Sequence, residues 1–161
     1  MEREKITIKA IAIFLMASVL FLLAFLYSLS FGAVLSNLLP LFITIDVFCF
    51  YFIAGFRSFR NPYSQNDISL MSYALLMQSI QLEVLGFHFK NYYGPYIGVG
   101  FVDLPEMKFL TEFHLIGFWV ANGFGGDPRI YLKINLFVVL ILAILIYTAN
   151  SMKKSSDKTD K

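Results

Sequence analysis

The chain carries no charged residue between Ala10 and Ile45. A transmembrane helix needs about 20 consecutive, mostly apolar residues, so this stretch can cross a bilayer and begin a second crossing. Hydrophobic residues make up 58% of the 161 residues and charged residues only 15%, whereas soluble domains carry about a quarter charged residues. The composition therefore predicts an integral membrane protein, and a net charge of +2 gives no reason to expect nucleic-acid binding.

Four helices are predicted to cross the membrane, over residues 8–30, 37–56, 68–89 and 131–149. The third is the least apolar and is included because of the distribution of positive charge. Lys and Arg concentrate at the cytoplasmic ends of membrane helices. Here they cluster at the amino terminus, around Arg57 and Arg60, and in the carboxyl tail. These three regions share one side of the membrane only if the number of crossings is even.

The predicted fold is therefore an all-α integral membrane protein of the cell membrane, with both termini in the cytoplasm. A bundle of about four transmembrane helices forms a single membrane domain over residues 1–150. Residues 90–130, rich in glycine and aromatic residues, are predicted to form an irregular extracytoplasmic segment, with a short interfacial or re-entrant helix over 109–121 as an alternative. Residues 151–161 have the polar composition of a disordered cytoplasmic tail.

Two carboxyl groups are the first candidates for a functional site. Asp46 interrupts an otherwise uncharged predicted helix, and an ionisable group at membrane depth is costly and indicates a functional site. At 1.5 Å per residue, Asp46 lies ~13 Å and Glu83 ~10 Å below the outer ends of their predicted helices. The pair is expected to share a proton or bind a cation. The alternative is that Asp46 only fixes helix packing.

The predicted third helix carries further polar residues, with Gln78, Gln81 and His88 on one stripe and Glu83 on roughly the opposite one. Gln78, Gln81 and His88 are predicted to line a polar pocket. Cys49 is the only cysteine, so an intrachain disulfide and a thiolate metal cluster are excluded. No metal site is predicted, because a combination of His88, His114 and Glu112 has no specific spacing.

A flat apolar ligand such as a quinone is a further possibility for the glycine- and aromatic-rich segment. Trp119, Tyr92 and Tyr93 are the candidate walls of such a pocket. The competing interpretation is an aromatic belt at the membrane surface.

The stretch from Phe52 to Pro62 resembles the end of the first helix in DoxX-type membrane proteins, which include the DoxD subunit of thiosulfate:quinone oxidoreductase. That helix closes with a phenylalanine-rich Ala-Gly, a basic residue and an aromatic residue before Asn-Pro. Farther along, Glu112, Gly117, Gly123 and Arg129 are similar to a spaced Glu, Gly, Gly and Arg of the same family. The spacing from Glu112 to Gly117 is one residue longer than the family pattern. The resemblance implies a quinone-linked oxidoreductase subunit in which residues 109–124 enter the membrane.

Three functional hypotheses follow. The first is a small, non-catalytic subunit of a larger membrane complex of the energy-transducing or respiratory type, with other membrane subunits and the lipid bilayer as partners. The second is a proton- or cation-coupled transporter that uses Asp46 and Glu83. The third is the quinone-linked oxidoreductase subunit, with quinone as the cofactor, so the sequence leaves open whether the protein is an enzyme.

Overall fold

The computed structural model describes residues 2–28, 38–85, 87–102, 108–124 and 130–159. Its helices are α1 (Glu2–Met16), α2 (Ser18–Ser28), α3 (Leu38–Arg60), α4 (Gln65–Ser79) and α5 (Leu136–Thr159), and its strands are β1 (Ile80–Val84), β2 (Phe87–Val102), β3 (Lys108–Phe124) and β4 (Tyr131–Asn135). The strands form one four-stranded antiparallel sheet. The prediction of an all-α bundle is therefore wrong, and the fold is mixed.

Among the described residues, three helical segments are long and apolar enough to cross a membrane, judged by length and composition: Glu2–Tyr27, Pro40–Arg60 and Leu136–Lys153. The first consists of α1 and α2, which are separated by a turn at Ala17. The predicted crossing over residues 68–89 is not a continuous helix, because α4 ends at Ser79 and β1 begins at Ile80. Helix α5 continues to Thr159, into the segment predicted to be a disordered tail.

The turn between α3 and α4 is held by side chains at both helix ends. The hydroxyl of Ser64 accepts a 3.3 Å hydrogen bond from the backbone N–H of Asp67, which is an N-cap contact at the start of α4. The Asp67 carboxylate accepts a 2.7 Å bond from Nε of Arg57, and Ser58 donates to the Asp67 carbonyl oxygen at 2.8 Å. These contacts set the direction in which α4 returns along α3.

The residues after Ser79 alternate between apolar and polar side chains, and this alternation explains why α4 ends at Ser79. In β1, three apolar residues alternate with Gln81 and Glu83, and this pattern is typical of a strand with one polar face. A helix would place those residues on several sides instead. The same alternation in Tyr131–Asn135 makes that segment strand β4, although it was predicted to begin the last helix.

Strand β2 curls the sheet, because different parts of it pair with different neighbours. Its first residues pair with β1 and its last residues with β4, while β1 and β4 also pair with each other. Strand β3 pairs along the other edge of β2, with a register shift at Gly94–Tyr96. Residues 87–102 and 108–124 are thus regular strands. The prediction of an irregular segment over 90–130 is wrong for these described residues, and the prediction of a helix over 109–121 is wrong.

Tyr93 packs the sheet against the helices. Its side chain is 1% exposed and its hydroxyl donates a 3.2 Å hydrogen bond to the carbonyl oxygen of Leu15. Its ring lies 5.3 Å from the ring of Phe14 and 5.9 Å from that of Phe48. Leu15 and Phe48 lie near the middles of two candidate spans, so this part of β2 reaches the middle of the helix bundle.

Candidate functional site: a charged cavity on the polar face of the sheet

The sheet has one polar and one apolar face. Residues directly opposite each other in antiparallel strands share a face, so the strand register assigns the faces. One face carries mostly polar and charged side chains, namely Gln81, Glu83, His88, Lys90, Glu112, Tyr131, Lys133 and Asn135, together with the apolar Val102 and Leu110. The other face carries mostly apolar side chains, namely Ile80, Leu82, Val84, Phe87, Phe89, Ile97, Val99, Phe101, Phe109, Phe113, Leu132 and Ile134, together with the polar Asn91 and Thr111.

Part of each face has the reverse of the burial found in a soluble sheet. Lys133, Gln81 and Asn135 on the polar face are buried, whereas Phe113 and Phe109 on the apolar face are 69% and 62% exposed. Apolar-out, polar-in alternation is the pattern of strands that face lipid with one side and a polar interior with the other. Sequence reasoning missed this pattern because it assigned β1 to a helix and residues 90–130 to irregular structure.

An open cavity of about 430 Å³ lies on the polar face. It is lined by Glu83, Lys90, Val102, Leu110, Glu112, Tyr131 and Lys133. Two ion pairs dominate it. The ammonium of Lys90 lies 2.8 Å from Oε2 of Glu83, and that of Lys133 contacts Oε1 of Glu112. The two ammonium groups also lie 4.3 Å and 5.0 Å from the ring centroid of Tyr131, within the range of cation–π contacts.

Glu83 has two charge partners on the polar face. The ammonium of Lys90 lies beside its Oε2, and Nδ1 of His88 lies 3.2 Å from its Oε1. Both oxygens of the Glu83 carboxyl are therefore occupied by groups of the neighbouring strand.

Unsatisfied polar atoms lie on or beside the polar face. Gln81 is 3% exposed, and its Nε2 has no hydrogen-bond partner among the residues that the structure describes. The register places Gln81 opposite Lys90 in one neighbouring strand and Lys133 in the other. The buried hydroxyl of Tyr96 is likewise unpartnered within the described ranges, and its ring stacks on Tyr92 at 4.3 Å.

The five residues singled out from the sequence occupy three different places. Glu83, Gln81 and His88 share the polar face of the sheet, where His88 lies opposite Glu83. Gln78 lies at the end of α4, where its Nε2 donates a 3.1 Å bond to the carbonyl oxygen of Tyr93. Asp46 lies on α3 and its side chain is exposed. The charge partners of Glu83 recorded in the structure are His88 and Lys90, and an ion-binding role for Asp46 with Glu83 stays a prediction.

Asp46 lies in a stripe of exposed side chains on α3, which also contains Phe42, Cys49, Ile53 and Phe56. No hydrogen bond or ion pair joins Asp46 to another of the described residues. The stripe follows helical spacing and therefore forms one face. That face combines apolar side chains with a single carboxyl group inside a candidate span.

The remaining candidates separate in the structure. Tyr93 belongs to the packed core, whereas Tyr92 lies on the polar face of the sheet, 6.5 Å from the ring of His114. The Trp119 side chain and Arg129 lie outside the described residues. Among the side chains that are described, no group of three or more His, Cys, Asp or Glu residues could hold a metal ion.

Comparison with known proteins gives no assignment: no family model, no curated protein and no solved structure matches the chain. The resemblance to DoxX-type proteins and the quinone cofactor that it implies therefore stay predictions. In the structure, residues 109–124 of that resemblance belong to β3.

Proposed function

We propose that the protein is a non-catalytic subunit of a larger membrane assembly, in which a partner chain completes its sheet. The observation that carries this proposal is the open edge of β3. This strand has 17 residues, is hydrogen-bonded only to β2 among the described strands, and has exposed side chains throughout residues 108–115.

Membrane immersion is supported by two independent features. Three of the described helical segments have the length and composition of membrane spans, and the sheet exposes apolar side chains such as Phe109 and Phe113 while burying the charged Lys133. In lipid, an exposed ion pair would be costly, whereas exposed phenylalanine and leucine side chains are favourable. With both termini in the cytoplasm, the sheet would occupy the outer half of the bilayer.

An open sheet edge is unfavourable in that position. Each unpaired backbone N–H or C=O in hydrocarbon costs several kcal/mol, and lipid-exposed sheet edges do not occur there. Even in water, a long apolar edge strand is a template for pairing with another chain. The simplest completion is an extended strand from a neighbouring subunit, paired with the outer edge of β3 and presenting apolar side chains beside Phe109 and Phe113.

The exposed face of α3 supports a second contact with a partner. A carboxyl group on a lipid-facing surface costs about 2.5–3.5 kcal/mol on insertion scales. A partner helix that offers a hydrogen-bond donor to Asp46 would remove most of this cost. Cys49, on the same face, is a native position for crosslinking across such a contact.

Gentle extraction from native membranes, followed by native electrophoresis and mass spectrometry of the intact particle, tests the proposal. The expected result is a stable particle that contains this chain together with further polypeptide, either another protein or a second copy. A lone monomer under conditions that preserve other membrane complexes would contradict it.

A matched pair of variants localises the contact. Phe113→Lys places a charge on the open edge strand, and Leu132→Lys places the same charge on the same apolar face in β4, away from that edge. Both face the surrounding medium, so their insertion costs should be similar. We expect Phe113→Lys to dissociate the particle and Leu132→Lys to leave it assembled. Equal behaviour of the two variants would count against pairing at β3.

The proposed topology is tested separately with cysteine labelling in a Cys49→Ser background. Leu85, in the turn after β1, is 79% exposed, and Lys153 near the end of α5 is also exposed. A membrane-impermeant thiol reagent should label Leu85→Cys in intact cells and Lys153→Cys only after permeabilisation. Labelling of both positions from the same side would exclude this topology.

A further inference from the structure

We propose that the cavity on the polar face binds a small zwitterion, that is, a molecule with a primary ammonium group and an anionic phosphate or carboxylate group. The headgroup of an amine-bearing phospholipid and a free amino acid share this chemistry. The inference is independent of the subunit role, because every residue that carries it belongs to one chain.

The charge balance of the cavity selects against ligands with one sign of charge. Lys90 and Lys133 contribute two ammoniums, and Glu83 and Glu112 contribute two carboxylates. An anion drawn to the lysines would also approach both carboxylates, and a cation drawn to the carboxylates would approach both lysines. Such like-charge contacts are unfavourable. A zwitterion can place each of its charges beside the opposite charge without breaking either ion pair.

The cavity residues have hydrogen-bonding capacity beyond their ion pairs. An ammonium offers three donors and a carboxylate about four acceptor sites. Lys133 is 1% exposed, so bulk water reaches it poorly. The Nε2 donor of Gln81, opposite both lysines, is buried without a partner among the described residues. A buried donor of this kind is unfavourable unless an acceptor is supplied, and the anionic oxygens of a ligand would supply one.

The dimensions and walls of the cavity fit a molecule of this class. A volume of about 430 Å³ lies in the range of small-molecule sites, roughly 300–1,000 Å³. Val102 and Leu110 provide an apolar wall for the short carbon chain that joins the two charges. Glu112, whose side chain is 44% exposed, marks the side on which a ligand enters.

Calorimetric titration of the full chain tests the proposal, with the protein held in nanodiscs of phosphatidylcholine. The quaternary ammonium of that lipid has no N–H donor, so the background lipid cannot satisfy the carboxylates by hydrogen bonding. The probes are glycerophosphoethanolamine, glycine, inorganic phosphate and ethanolamine. At least one of the first two should bind, and phosphate and ethanolamine should each bind at least about tenfold more weakly.

The probe series also distinguishes the two sources of ligand. If glycerophosphoethanolamine binds and glycine does not, the ligand is a lipid headgroup. If glycine binds and glycerophosphoethanolamine does not, the ligand is a free amino acid. Either result supports the proposal. If no probe binds, or if phosphate or ethanolamine binds as tightly as the zwitterions, the proposal is overturned. These measurements use the unaltered protein, so they do not depend on the folding of any variant.

Variants then test whether binding depends on both the positive and the negative charges of the cavity. Lys90→Gln and Glu83→Gln should each weaken binding about 10- to 100-fold, since each removes one charged partner of the ligand. Lys153→Gln, which alters an exposed lysine on α5, is the matched control and should bind as the unaltered protein does. Unchanged binding by a folded Lys90→Gln variant would overturn the assignment to this cavity.

Discussion

Replacing Tyr93 with alanine should detach the sheet from the helices and lower the free energy of unfolding by about 3–5 kcal/mol, the usual range for removing a buried aromatic side chain. The side chain is 1% exposed. It joins β2 to the helices through four neighbouring rings, namely Phe14, Phe21, Phe48 and Tyr51, with centroids 5.3–6.1 Å away.

The magnitude agrees with the individual contacts. Each aromatic pair contributes about 0.5–1.5 kcal/mol beyond its buried area, so four pairs account for roughly 2–6 kcal/mol. The hydroxyl bond to the Leu15 carbonyl oxygen adds about 0.5–1.5 kcal/mol. Tyr93→Phe keeps the ring and removes only that bond, so it should cost about 1 kcal/mol.

Denaturant titration in micelles, followed by near-ultraviolet circular dichroism, measures these differences. Tyr73→Ala is the control, because Tyr73 is 63% exposed on α4 and its removal leaves the core intact. The expected order of destabilisation is Tyr93→Ala, then Tyr93→Phe, then Tyr73→Ala. If Tyr93→Ala is no more destabilising than Tyr73→Ala, then β2 does not pack into the helix bundle and the reasoning fails.

Two further predictions concern single contacts. Arg57→Gln leaves the Asp67 carboxylate, which is 4% exposed, without its charged partner and should cost about 1–3 kcal/mol in the same titration. Gly55→Ala would bring a Cβ within 2.6 Å of a backbone oxygen of α1, so it should separate α1 from α3 and destabilise the protein by about 1–3 kcal/mol in the same titration.

The parts of the fold that could be predicted from the sequence are those where one physical signal dominates. Long uncharged apolar runs have few alternatives to a helix, and α3 and most of α5 lie where they were predicted. The residues from Ile80 onward carry two conflicting signals. Their overall hydropathy fits a weak membrane helix, but the alternation of Gln81 and Glu83 with apolar neighbours fits a strand. Length and topology favour the helix, whereas the period of two favours the strand that the structure contains.

The prediction of a helix where the structure has a strand also explains which site residues the sequence identifies. The sequence identifies Glu83, Gln81 and His88 as polar candidates, but helical geometry predicts that Glu83 lies opposite the other two. Strand geometry brings all three to one face. Lys133 was missed because it was assigned to the start of a membrane helix. Its pairing with Glu112 could not be predicted, because it depends on the order of strands in the sheet.

The distribution of positive charge predicts an even number of crossings, whereas three of the described helical segments qualify as spans. Helix α4 has 15 residues and a length of ~22 Å at 1.5 Å per residue, which is short of the ~30 Å hydrocarbon core. Strand β1 continues directly from it, and at ~3.3 Å per residue its five residues add ~16 Å. Together they are long enough to complete a crossing. Strand backbone at that depth is acceptable only where protein covers it, which β4 and β2 do on both sides of β1. Among the described residues, no strand pairs with the outer edge of β3. Helix α3 contacts β3, but a helix cannot continue the hydrogen-bond ladder of a sheet, and this difference between β1 and β3 is the physical reason to look for a partner strand at one edge only.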